Sequence, residues 1–367
     1  MPNWSESMQQ TYEHFVVDPG TWKDTTRLTK VKSNSITRDA NAETLGSATI
    51  ETDDILEECY VRTYLSTVQN GVSERHPLST VLVQTPSSSF DGMRKINNLD
   101  AYTPLIELKE TPPPIGYFVA KGSNIMDVAY ELTKEHLRAP VVKPSCDEVL
   151  TYDFVANAND TWLTFLTDLI ANASHTFGLD ELGQIIFVPV QDIASLKPVW
   201  TYTDDNSSIL QPKVEVKRDM FGIPNAVEVI YSSGKDNWYA KAVNDDPNSP
   251  ISTVKRGREV ARRVVNPEFT GKPSEERVKE YAEKLLRELS SLEYTVTYTH
   301  GYCPVRINDC VRLNYSRAGL INVKAKVISQ TINCVAGCQV TEKAVYTVRL
   351  WDRCTLYKPG GEPYEST

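Results

Sequence analysis

Five histidines supply the chain's imidazole chemistry: His14, His76, His136, His175 and His300. No two are four residues apart, so a helical zinc pair of the HExxH kind is absent. There is no GxSxG elbow, no GxxxxGK[ST] phosphate loop and no GxGxxG after a strand. The lone glycine of Arg256-Gly-Arg258 cannot build a phosphate-cradling turn by itself. The cysteines at 59, 146, 303, 310, 334, 338 and 354 are odd in number and irregular in spacing. Taken as four thiolate ligands, Cys303, Cys310, Cys334 and Cys338 lack the close CxxC pairs of structural zinc sites. Val335-Ala-Gly337 reads as a hairpin turn between two small strand residues, and Cys303 and Cys310 flank a turn at Arg306-Ile-Asn-Asp309. A disulfide between neighbouring strands stays open, although reduced thiols in a cytosolic fold are the simpler reading. Asp53-Asp54 with Glu57-Glu58, and Asp245-Asp246, lack the spaced D-x-D-x-D-G of a calcium loop and read as solvated loop charges. No catalytic, cofactor-binding or metal-ligating constellation emerges, and the chain reads as a non-enzyme without cofactors.

The frame that would have to position any such residues is large. At about 150 residues per domain, 367 residues give two or three domains. Hydrophobic residues make up 40% of the chain and charged residues 24%, an ordinary globular balance. Net charge is −9, which argues against a chain that sheathes nucleic acid, because that binding rests on Lys and Arg neutralising phosphate. No apolar run approaches the ~20 residues of a membrane span, so no membrane insertion is expected. MPNWSESMQQTYEHF has neither the basic nor the apolar region of a secretory signal.

The pattern predicts strands over 28–35, 47–52, 60–65 and 79–84, with Asn70-Gly71 as a hairpin-type turn signal inside a longer loop. Thr111-Pro-Pro-Pro-Ile115 cannot join a ladder interior and marks a boundary. A helix capped by Ser123 or Asn124 carries Ile125, Val128, Ala129 and Leu132, and Pro140 closes it. A second, capped at Asn159-Asp160, presents Trp162, Phe165, Leu166, Leu169 and Ile170 as a core face. A hairpin follows at 176–188, and another pairs Ala226–Tyr231 with Trp238–Ala242. A third helix starts after Pro273 with Ser274 as cap, and strands are expected at 294–299, 310–314, 323–331 and 344–350. The resulting fold class is α+β: a first β-barrel domain at 24–112, a mixed α/β domain at 113–200, a second β-barrel domain at 201–352 with an inserted helix at 274–291, and a frayed C-terminal tail at 353–367.

Ser35-Ile-Thr-Arg-Asp39 followed by Gly46-Ser-Ala-Thr-Ile50 resembles the opening barrel of the bacteriophage tail and baseplate hub family. The later order strengthens the likeness: Trp162-Leu-Thr-Phe-Leu166, Leu182-Gly-Gln-Ile-Ile-Phe-Val-Pro189, Ile223-Pro-Asn-Ala-Val-Glu-Val229, Asn248-Ser-Pro-Ile-Ser252 and Pro304-Val-Arg-Ile-Asn-Asp-Cys-Val311. It covers roughly 24–352 and rests on joint order, since each string is short. The Cys334–Cys338 hairpin departs from the family pattern. The resemblance implies a homotrimer at the distal end of a tail tube, in the virion and assembled in the host cytoplasm. Two tube-like barrels per chain would give six around a DNA channel, adapting six-fold symmetry to three-fold. Implied partners are the tail tube or distal tail protein, the end of the tape-measure protein, and a spike or central fibre, with DNA only in transit.

Lys255, Arg256, Arg258, Arg262 and Arg263 place five positive charges within nine residues of an acidic chain. Arg256, Arg258, Arg262 and Arg263 suit a subunit interface, where planar guanidinium groups meet carboxylates. DNA contact is the weaker reading, because a lumen that grips phosphate would retard the genome. A solvated face stands beside the interface reading. A receptor- or carbohydrate-binding tail module is an alternative, motivated by 18 Tyr and 6 Trp that can stack on sugars but also fill cores. The hub of a related bacterial contractile injection system is another.

Overall fold

The computed structural model describes residues 2–90, 92–93, 95–205, 208–218, 220–233, 236–267, 274–348 and 354–364. Two units divide the chain: Met1–Glu215 with Thr297–Ala344, and Val216–Val296 with Val345–Thr367. The first opens with β1 (Gln9–Val17), β2 (Asp24–Leu28), β3 (Val31–Asp39), β4 (Gly46–Thr52), β5 (Cys59–Gln69), β6 (Val72–Phe90) and β7 (Lys95–Tyr102). It continues through α1 (Ile106–Lys109), β8 (Phe118–Val119), α2 (Ile125–His136), β9 (Phe154–Val155), α3 (Trp162–Ala171), β10 (His175–Leu179), β11 (Ile185–Pro189) and β12 (Trp200–Thr203). After β13 (Leu210–Arg218), the second unit contributes β14 (Ala226–Ser233), β15 (Asp236–Val243), α4 (Thr253–Arg256), β16 (Ala261–Val265) and α5 (Glu275–Leu289). Then come β17 (Leu292–Gly301), β18 (Cys310–Tyr315), β19 (Leu320–Asn333), β20 (Gln339–Val348) and β21 (Thr355–Tyr357). The α+β class holds.

Thirteen strands join in one hydrogen-bonded network, ordered β13-β17-β20-β19-β3-β4-β7-β6-β5-β1-β2, with β18 pairing both β12 and β19. Among the described residues the path is open. Two runs within it share a plan: β3-β4-β7-β6-β5 and β13-β17-β20-β19-β18. Counted in chain order within each run, both read first, second, fifth, fourth, third. Each then gains a strand from just upstream, β1 antiparallel to β5 and β12 parallel to β18. Tyr12, His14, Leu28 and Asn34, from β1, β2 and β3, line one cavity of about 310 Å³, so the two ends of the first run face each other.

β19 connects the runs. Its first half pairs with β18, up to Cys310↔Lys326, and its second half with β3, from Ser329↔Asp39 to Asn333↔Ser35. Ser35 Oγ donates to Asn333 Oδ1 at 3.1 Å across this junction, and Arg38 Nη1 donates to Gln330 Oε1 at 3.2 Å.

Local chemistry explains several element ends. Gly46 opens β4 at φ +149°, and a Cβ there would lie 2.2 Å from the Thr37 carbonyl oxygen of the paired strand. Only glycine permits that approach. Asn70 (φ 51°) and Gly71 (φ 79°) form a two-residue turn with Gln69 opposite Val72. Two positive φ values match the turn twist that right-handed strands favour. The longer loop expected there is corrected, because β5 and β6 run right up to the dipeptide. The strand expected over 28–35 is two strands, interrupted at 29–30. Asn124 caps α2 by accepting from Asp127 N at 2.9 Å. The cap of α3 is Thr161, in a reciprocal box with Thr164, rather than Asn159-Asp160. Trp162, Phe165, Leu166, Leu169 and Ile170 are buried in the core beside α2, each fully buried large side chain contributing roughly 1.5–3 kcal/mol.

In the second unit a sheet ordered β16-β14-β15-β21 packs Val227, Val229, Ala240 and Ala242 against Val278, Ala282 and Leu286 of α5. Ser274 caps that helix by accepting from Arg277 N at 3.3 Å. The frayed tail is corrected at Thr355–Tyr357, which pairs antiparallel with β15 through Val243↔Thr355. Pro273, Leu350 and Arg353 lie outside the described residues. No helix among the described residues is long and apolar enough to cross a membrane.

Candidate assembly surfaces and a buried polar network

The basic cluster is divided by its local structure. Ser252 caps the short α4 by accepting from Lys255 N at 3.2 Å, which places Lys255 and Arg256 on a helical turn. Arg256 turns inward and donates to Ile223 O at 2.7 Å and Met220 O at 2.9 Å. Burial and the neighbouring Arg258 charge lower its pKa. Arg263, on β16, pairs with Glu228 at 2.7 Å. Arg258 and Arg262 are exposed, without an ion pair among the described residues. Two of the four arginines therefore brace their own unit, and two face outward. β16 is the edge strand of its sheet, which keeps Arg262 at a border.

Exposed apolar groups cluster on the mixed segment of the first unit. Phe118 and Val155 stand opposite each other in the β8–β9 pair, each 56% exposed. A cross-strand apolar pair left in water is the kind of surface a neighbour covers. Phe90 and Met93, near the tip of the β6–β7 hairpin, are also exposed.

Strand pairing also assembles side chains that sequence reading left apart. Tyr202, Tyr298, His300, Cys303, Gln330 and Glu342 converge in the first unit, all buried. Glu342 Oε2 accepts from Tyr298 OH at 2.7 Å and from Tyr202 OH at 3.2 Å. Its Oε1 accepts from Gln330 Nε2 at 2.5 Å and lies 3.2 Å from His300 Nε2. His300 Nδ1 lies 2.6 Å from Gly301 O, so it carries a proton and donates to that carbonyl. Both ring nitrogens thus face acceptors, and the ring is an imidazolium. Burial works against this charge, but the hydrogen bonds the ring donates to Cys303 and Glu342, and the carboxylate's charge, raise the His300 pKa to about 10. The Glu342 pKa is lowered: burial opposes its charge, and His300, Gln330 and Tyr298 overcome it. Burial, then the Glu342 charge, pushes both tyrosines up, so they remain neutral donors.

Cys303, His300 and Glu342 are the residue types of a nucleophile–base–acid set, which sequence reading did not find. Cys303 Sγ lies 3.9 Å from an Nδ1 that also donates to the Gly301 carbonyl, and all three side chains are sealed from solvent. The network reaches outward through Gln330 to Arg38, which pairs with Glu181 at 3.8 Å. Glu181 also holds Arg306, whose Nε donates at 2.6 Å. Arg38, Glu181 and Arg306 form the polar side of a cavity of about 350 Å³ that Leu78, Val81, Ile186 and Ile307 line on its apolar side. All seven cysteines are free thiols, and burial raises the pKa of both Cys334 and Cys338, the latter to about 11. Among the described residues no three His, Cys, Asp or Glu side chains group as a metal ion would require.

No family model matches the sequence, and no curated protein matches it by sequence. Solved structures do match. The tail protein from Neisseria meningitidis MC58 is similar at 15% identity, covering 92% of this chain and 97% of that one, with a TM-score of 0.61. The 43 kDa tail protein of prophage MuSo2 from Shewanella oneidensis is similar at 12% identity over 92% of this chain and 98% of that one, TM-score 0.62. A chain of the Francisella PdpA–VgrG complex is similar at 8% identity and TM-score 0.55, covering 94% of this chain and 53% of that one. The chain has the fold of phage tail proteins over nearly its whole length.

Proposed function

We propose that this chain is the structural hub of a bacteriophage tail tip or baseplate, and not an enzyme. Three copies form a ring that closes the tail tube and leaves a channel for DNA. The observation that carries this is the shared strand order of β3-β4-β7-β6-β5 and β13-β17-β20-β19-β18 within one chain. Each run curls into a tail-tube-like β-barrel, one at 24–112 and one within 201–352, with the mixed segment 113–200 between them. Six similar barrels from three chains meet a six-fold tube above and a three-fold spike or fibre below, and cyclic closure uses one kind of contact repeatedly. The likeness to a tail protein and a prophage tail protein over almost their full lengths supports the reading. Partners are the tail tube or distal tail protein, the end of the tape-measure protein and the spike or central fibre. Assembly takes place in the bacterial cytoplasm and the product is part of the virion.

Arg258 and Arg262 belong to the subunit or partner interface, while Arg256 and Arg263 shape the surface that presents them. The likeness to a PdpA–VgrG chain favours a second reading, the hub of a related bacterial injection system. Labelling the chain in purified tails and imaging them by electron microscopy tests the first. Label confined to the distal end of the tube is expected, and label along the tube, or none in particles, contradicts it.

A further inference from the structure

We infer that the junction between β3 and β19 inside the chain is repeated between chains, with the outer edge of β13 of one copy adding to the free edge of β6 of the next. The inference rests on the hub reading and names its contact.

The shared strand order makes β6 the counterpart of β19, and β13 the counterpart of β3. In the second run, β18 pairs with β19 only up to Lys326, and β3 occupies the same edge from Ser329 to Asn333. In the first run, β5 pairs with β6 only up to Val83. Beyond it, residues 84–90 pair with β7 on one side and, among the described residues, with no strand on the other. The edge filled within the chain at β19 is therefore open at β6. The strand that should fill it by analogy, β13, ends the sheet path with one edge unpaired among the described residues, and most of its side chains are exposed.

The seams agree. The first half of β3 faces the cavity it shares with β1 and β2, while its second half pairs with β19. On β13, Pro212 O in the first half accepts from Tyr315 OH of β18 at 2.8 Å, and among the described residues no such bond falls on the second half. Residue types also agree: β19 presents Ser329, Thr331 and Asn333 to β3, and β6 carries Ser87, Ser88 and Ser89 on its open stretch. An unpaired row of amides and carbonyls is a template for strand addition, and head-to-tail addition of identical chains closes a ring or extends a helix.

Hydrogen exchange read by mass spectrometry tests this on the full chain, alone, with a synthetic LQPKVEVKR peptide (residues 210–218), and in assembled tail tips. The peptide should slow exchange of the 87–90 amides at least tenfold, a scrambled peptide should not, and assembled tips should show slowing at both 84–90 and 210–218. Exchange at 84–90 that stays as fast with peptide and in tips as in the free chain overturns the inference. A three-copy ring with these amides unprotected removes the strand addition and keeps the hub. Protected edges in an assembly of another copy number remove the hub and keep the strand addition.

Discussion

Ile36 of β3 stands directly opposite Ile332 of β19, and both are almost completely buried. Through this pair, strands from the two ends of the chain share one core. Replacing Ile332 with Ala removes buried methyl groups where the surrounding strands cannot collapse. A loss of about 2–5 kcal/mol is expected, read as a lower urea midpoint with an unchanged slope. A loss under ~1 kcal/mol would show that the junction is loosely packed.

Gly46 makes a second test of the same region. In Gly46→Ala the new Cβ meets the Thr37 carbonyl, a backbone atom that cannot swing aside. The strain should cost at least about 1–3 kcal/mol and lower the melting temperature. Gly71→Ala, at the tip of an open turn with nothing within 4 Å, should cost less, through its positive φ alone.

The buried ion pair sets a pH signature. Folded His300 holds its proton up to about pH 10, whereas in the unfolded chain it is released near 6.5. The folded state therefore binds more protons across that window, and stability should fall as pH rises from 6.5 towards 10. Glu342 works the other way, its lowered pKa giving stability that is lost as pH falls below the carboxylate range. Removing one partner, as in Glu342→Gln, strands the other charge and should cost about 3–5 kcal/mol. His300→Gln should flatten the alkaline slope in melting temperatures measured from pH 6 to 10. An unchanged slope would contradict the ion pair.

The arginines separate folding from assembly. Arg256→Ala loses two charge-assisted bonds to carbonyls and should lower stability by about 1–3 kcal/mol. Arg262→Glu, on an exposed edge, should leave stability within about 0.5 kcal/mol while weakening association in light scattering. Destabilisation by Arg262→Glu with association intact would count against its interface role.

Much of this architecture is legible in the residues. The strand at 47–52, the α3 core face and the Val335-Ala-Gly337 turn appear where local pattern places them, and Asn70-Gly71 is a turn, although a tighter one than the pattern suggests. β1 escaped because its two buried residues, His14 and Val17, stand three positions apart and only one is apolar, so no apolar alternation marks it. The polar network escaped for a different reason. Val296, Tyr298 and His300 share one face of β17 at period two, a visible signal, but Tyr202, Gln330 and Glu342 reach it only through pairings between distant strands. The arginine run hid its division because the left-handed helix end at Gly257 and an edge strand turn neighbouring residues in different directions.

The most direct measurement is an electron cryo-microscopy reconstruction of the purified tail tip without imposed symmetry. It should show three copies of this chain around the axis, contributing six similar β-modules to one ring. A single copy, or a ring whose two modules per chain occupy unrelated positions around the channel, would contradict the hub.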